Sequence, residues 1–264
     1  MEMSKEIQYK QFDNEIEIVQ KSSLGSETTQ IGVQNVYNGV SVTDAVQMAF
    51  TLFKEYYPQL REEALGEIRE LIVKEMEKIK VEDVVSPKAK IAIPVLQNAS
   101  ITDEKELRTI YAKLLSSAMN KKVASQIHPA FVNIINQMSE MDAHLLKKIV
   151  DINNSIPVAN IKFTFDNSYL TQALPHFFSP YFKELGDEEQ VSMGIENLSR
   201  LQLINLFQGS VVGYDYEIIK TDSYIQERYK FAKQNNFERN LEIEISEYVI
   251  QLNDFGRKFV RLCM

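Results

Sequence analysis

Between Thr102 and Val150 the chain has room for little but helices, set apart by two breaks. Leu107, Ile110, Tyr111, Leu114, Leu115 and Ala118 recur at spacings of three and four, which places them on one face of a helix. Thr102-Asp103-Glu104 offers a cap and two acids at its start, where the helix dipole favours negative charge, and Asn120 closes it. His128-Pro129 makes the first break, because a residue before proline is pushed out of the α region. Phe131, Val132, Ile135 and Met138 then give a short helix. Ser139-Glu-Met-Asp142 has the spacing of a capping box with Asp in the reciprocal position. Leu145, Leu146, Ile149 and Val150 continue the core face beyond it.

Upstream, residues 1–38 show no sustained period, only a strand-like alternation at 15–19, and read as an arm that is flexible or that orders only against a partner. Ser41-Val-Thr43-Asp44 supplies N-cap side chains for a helix reaching Tyr56. After Pro58, Leu60, Ala64, Ile68, Leu71, Ile72, Met76 and Ile79 mark the clearest amphipathic helix of the chain. Ser86-Pro87 is expected to open a shorter helix, which Pro94 should kink or end by removing a backbone donor.

Downstream, Ile161–Phe165 alternates like a strand, and Leu170–Leu185 reads as an aromatic-rich loop with a helical turn. Glu188–Phe207 is expected to be one helix, stopped by Gly209. Val211-Val212 with Tyr214–Ile219, and then Leu241–Leu252 with period two, supply a strand pair, and Asn253 opens a closing helix. That order is the one a winged-helix module uses. The expected class is therefore mainly α (α+β), an N-terminal helical domain followed by a winged-helix-like C-terminal domain. The arm covers 1–38, the helical domain 39–137, and the winged-helix-like domain 138–264 with an insertion near 220–240.

Composition excludes several classes of function. The one cysteine, Cys263, cannot form an internal disulfide, which fits a reducing cytoplasm. No apolar run approaches the roughly 18 residues that span a bilayer, so no membrane partner is expected. There is no phosphate-cradling glycine loop, no H-E-x-x-H, no paired C-x-x-C and no G-x-S-x-G. His128, His144 and His176 lack ligand-like spacing, so no metal, cofactor or catalytic residue is assigned and the chain does not read as an enzyme.

Charge bears on nucleic acid, where affinity depends on Lys and Arg neutralising phosphates. The net charge is −8. Over 138–264, 13 Lys and Arg face 18 Asp and Glu, a balance of −5. In the helix that would read a groove, only Asn197, Arg200 and Gln202 could serve, and Glu196 opposes Arg200. One basic cluster, Arg228, Lys230 and Lys233 with Arg239, interleaves aromatics and could touch phosphates or form an exposed amphipathic helix. A protein partner or self-association is favoured over nucleic acid.

Three blocks together resemble the abortive-infection alpha family of bacterial proteins: E-L-R-T-I-Y-A-K-L-L-S-S-A-M-N, I-H-P-A-F-V-N, and Q-M-S-E-M-D-A-H-L-L-K. The likeness continues at N-L-x-R-L-x-L-I over Asn197–Ile204 and at L-N-D-F-G-R-K-F over Leu252–Phe259, covering about 85–264 in all. Leu107, Tyr111, Leu114, His128, Pro129, Phe131, Ser139, Leu201, Gly256 and Phe259 stand at its signature positions, and Ala130 departs from the Ser the pattern carries there. The resemblance implies a bacterial or prophage anti-phage role with no assigned catalytic residues, exerted through protein contact. The alternatives are a winged-helix DNA-binding regulator and, third, a toxin nuclease. No histidine here follows an arginine at the spacing of the R-x(4–6)-H ribonuclease motif that many abortive-infection effectors carry.

Overall fold

The computed structural model describes residues 62–165, 168–170, 174–235 and 240–264. The arm, the Ser41 helix and the Pro58 boundary lie outside these residues. The described part is mainly helical with one antiparallel sheet. The chain divides into two compact units, one running to Gln137 and including Arg261–Met264, the other Met138–Val260.

In the first unit, α1 (Glu62–Met76), α2 (Ala89–Ile101) and α3 (Lys105–Ala118) pack together, followed by the short α4 (Ala130–Ile135). Ile68, Ile72 and Met76 of α1 are fully buried, as the stripe predicts, and Leu107, Ile110, Tyr111, Leu114 and Leu115 line the buried face of α3. Ion pairs from Arg108 to Glu67 (3.1 Å) and Lys113 to Glu75 (2.7 Å) flank that interface. Burial alone would raise the Glu75 carboxyl, but hydrogen bonds from Lys113 and Lys78 outweigh it and hold the group below its ordinary range.

Two expectations here are corrected. Helix α2 starts at Ala89, after Lys88 and without a side-chain cap, rather than at Ser86-Pro87. Nor does Pro94 end it: the helix continues to Ile101, because burial of Ile91, Val95, Leu96 and Ala99 outweighs the roughly 3 kcal/mol an interior proline costs. A third concerns Thr102, which caps nothing ahead of it. Its hydroxyl donates back to the Asn98 carbonyl (2.8 Å), and Glu104 stands at the α3 N-cap with no side-chain bond.

The second unit opens with α5 (Glu140–Ile152), whose start is the expected capping box of Ser139 and Asp142. Then come β1 (Ile156–Phe165), β2 (Ser168–Leu170), a 3₁₀ turn at Pro180–Leu185, α6 (Glu188–Arg200) and β3 (Ile204–Gln208). A second 3₁₀ turn at Tyr216–Thr221, α7 (Ser223–Asn235), β4 (Glu242–Leu252) and α8 (Asp254–Cys263) follow, the second unit ending within α8 at Val260. The sheet order is β2-β1-β4-β3, every pair antiparallel, with β3 at one edge.

The two sheet faces are covered differently. Alternation along β1 and β4 puts Ile156, Val158, Tyr248 and Ile250 on one face. There Phe177 meets Tyr248 edge-on (5.2 Å) while its amide donates to Ser192 of α6 (2.9 Å). On the other face Ala159, Ile161, Phe163, Ile243 and Ile245 form a core with Tyr216, Ile219, Ile225 and Ala232. The described residues from Tyr216 to Ala232 thus pack as a layer behind the sheet.

The largest correction falls at Leu201–Phe207. The helix ends at Arg200, and Ile204–Gln208, expected as far as Phe207 to be its last turns, is a strand paired with β4. Leu203 N donates to Leu198 O (3.0 Å) and Gln202 N to Ser199 O (3.0 Å), the two bonds of a Schellman turn, with Gln202 at φ 59. Gly209 therefore ends a strand, and Tyr216–Thr221 is a 3₁₀ turn where a strand was expected.

Candidate functional site

Helix α6 is the element any reading of the second unit as a recognition module must use. Its polar start is fixed by Asp187, whose carboxylate accepts from the amides of Glu189 (2.8 Å) and Gln190 (3.0 Å). Val191, Ser192, Gly194, Ile195 and Leu198 face inward. Gly194 lets α5 come close: a Cβ there would lie 3.1 Å from Leu145 Cδ2 and 3.2 Å from Asp142 Oδ1. The outward stripe is Glu189, Met193, Glu196 and Arg200, with Met193 69% exposed.

The three proposed base-contacting residues are engaged within the unit. Asn197 Nδ2 donates to Asp142 Oδ2 (2.8 Å), and its Oδ1 accepts from Arg200 Nη2 (2.7 Å) and Nε (3.0 Å). Gln202 donates to the Ser199 carbonyl (3.1 Å). On the same stripe Glu196 pairs with His176, and Glu189 with Arg228 (3.5 Å). The basic set is dispersed likewise. Arg228 also donates to the Tyr224 hydroxyl (3.3 Å), which holds its guanidinium charged, and Lys233 lies 5.8 Å from the Tyr229 ring centre. Lys230 is exposed on α7, and Arg239 is outside the described residues.

The signature residues are structural in their surroundings. Leu107, Tyr111, Leu114 and Phe131 are buried in the first unit. His128 is exposed, and its Nδ1 accepts from the amide of Ala130 (3.1 Å), while Pro129 stands at the α4 N-cap. That bond ties down a helix start that proline leaves one donor short. In the second unit the buried Asp142 Oδ2 accepts from Ser139 N (2.7 Å), Ser139 Oγ (3.0 Å) and Asn197 Nδ2. Ser139, Asp142, Asn197 and Arg200 so form one line of hydrogen bonds joining α5 to α6.

Leu201 caps α6, and Gly256 and the fully buried Phe259 lie on α8. Asn253 organises that end of the second unit. Its Nδ2 donates to Gln202 O (2.9 Å), and its Oδ1 accepts from Gly256 N (2.7 Å) as a helix cap. A Cβ on Gly256 would stand 1.9 Å from Leu203 O, so only glycine lets α8 begin against that backbone.

Sequence reasoning missed Asp142 as a hub, since a capping box spends an acid locally and gives no sign of a distant Asn. Among the described residues, no group of three or more His, Cys, Asp or Glu is placed to hold a metal ion. Cys263 is buried, and burial pushes its thiol well above the usual range, away from the thiolate a nucleophile needs.

A family model described as abortive infection alpha matches residues 60–263. No curated protein matches. A solved structure of an uncharacterized protein from the hydrocarbon-degrading marine bacterium Alcanivorax borkumensis SK2 aligns with 50% of this chain and 90% of its own, at 13% identity and a TM-score of 0.31. A likeness that low carries no argument about fold or function.

Proposed function

Because the chain belongs to the abortive infection alpha family, we propose that it serves phage defence through protein contact made by its second unit, without catalysis and without reading DNA. The family supplies the biological setting. The observation that carries the rest is the outward stripe of α6, where two acids and an exposed methionine leave Arg200, itself bonded to Asn197, as the one basic side chain.

The order α5, β1, α6, β3, β4, with β4 central between β1 and β3, supports a winged-helix-like reading of this unit. Folds of that kind serve protein contact as readily as DNA contact, so the surface chemistry of the helix decides. Asn197 and Arg200 being bound to Asp142 and to each other favours protein contact further, since a base would have to displace those bonds. The reducing cytoplasm is the proposed compartment, on the evidence of the single cysteine. No described helix is long and apolar enough to cross a membrane.

Titration of labelled duplex DNA, at about 50 and about 200 mM salt, tests this reading. The expected result is no sequence-dependent binding at either salt. Salt-sensitive, sequence-dependent binding with Kd near ~10⁻⁸ M would instead establish the DNA-binding regulator.

A further inference from the structure

No further inference is drawn: the strongest candidate, the aromatic side-chain cluster of Tyr181, Tyr214 and Tyr216 in the second unit, carries nothing, because its rings pack directly on one another (centroids 6.2 and 5.0 Å apart) and nothing in the structure shows what covers it.

Discussion

Replacing Gly256 by alanine adds one methyl group where the backbone leaves no room for it. The new Cβ would sit 1.9 Å from Leu203 O and 2.9 Å from Leu203 C, against a floor of 3.0 Å for real Cβ contacts. The clashing atom is main chain, and it is held on both sides. Leu203 N is bonded to Leu198 O (3.0 Å), and Gln202 O accepts from Asn253 (2.9 Å). Relief therefore requires α8 to lift, which breaks the Asn253 cap on Gly256 and disturbs the buried Phe259. A lost cap costs about 1 kcal/mol and overpacking about 1–3, while better helix propensity returns up to about 1. The net loss should fall at about 1–4 kcal/mol, a large share of a typical total near 5–15. Gly66→Ala, in α1 with nothing within 4 Å of its new Cβ, is the control and should stabilise by about 0.5–1 kcal/mol. Urea unfolding followed by tyrosine fluorescence and circular dichroism measures both, with coincidence of the two probes checked because the chain has two units. A Gly256→Ala chain within about 1 kcal/mol of wild type would refute the close approach, and with it the structural reading of the F-G-R-K-F segment.

Asp142→Ala should cost about 2–3 kcal/mol in the same assay, since it removes the carboxylate half of the capping box and the acceptor of Asn197 Nδ2; the Asn197→Ala double-mutant cycle should return a coupling above ~0.5 kcal/mol. Tyr111→Phe should be neutral or stabilising by up to about 1 kcal/mol. The Tyr111 hydroxyl is buried without a hydrogen-bond partner, and burial pushes its ionisation up while the Asn98 side chain opposes that without completing a bond. Glu75→Gln should destabilise by roughly 0.5–1 kcal/mol at neutral pH, discounted for the exposure of its lysine partners. Its folded value lies below the ordinary 4.5, so that stability is present above 4.5 and lost as pH falls through the folded value. A wild-type minus Glu75→Gln difference that stayed constant down to strong acid would contradict the assignment.

What the sequence disclosed and what it hid follow from how far each signal reaches. The stripes of Ile68, Ile72 and Met76 and of Leu107 to Leu115 are buried as their period requires, because amphipathicity is written within one element. The Ser139 capping box spans four residues and was equally visible. The end of α6 was not. Leu201, Leu203 and Ile204 suit a helix face and a strand alike, and the left-handed position that ends the helix is held by Gln202 rather than by the usual glycine. Without that glycine a helix read from sequence runs on into β3. Pro94 misled in the opposite sense, since a local penalty was outweighed by tertiary burial. The links of Asp142 to Asn197 and of Gly256 to Leu203 join residues about fifty apart in sequence, and nothing local announces them.

If this member of the family acts through a contact surface on its second unit, the yield of phage from infected cells will depend on that surface. Met193 is 69% exposed on α6, so Met193→Asp should leave folding unchanged while disrupting an apolar contact there. Cells carrying the wild-type gene should release fewer phage per infection, and cells carrying Met193→Asp, at equal protein level and melting temperature, should release as many as cells without it. Full protection by the Met193→Asp protein would contradict the claim that the α6 face carries the function.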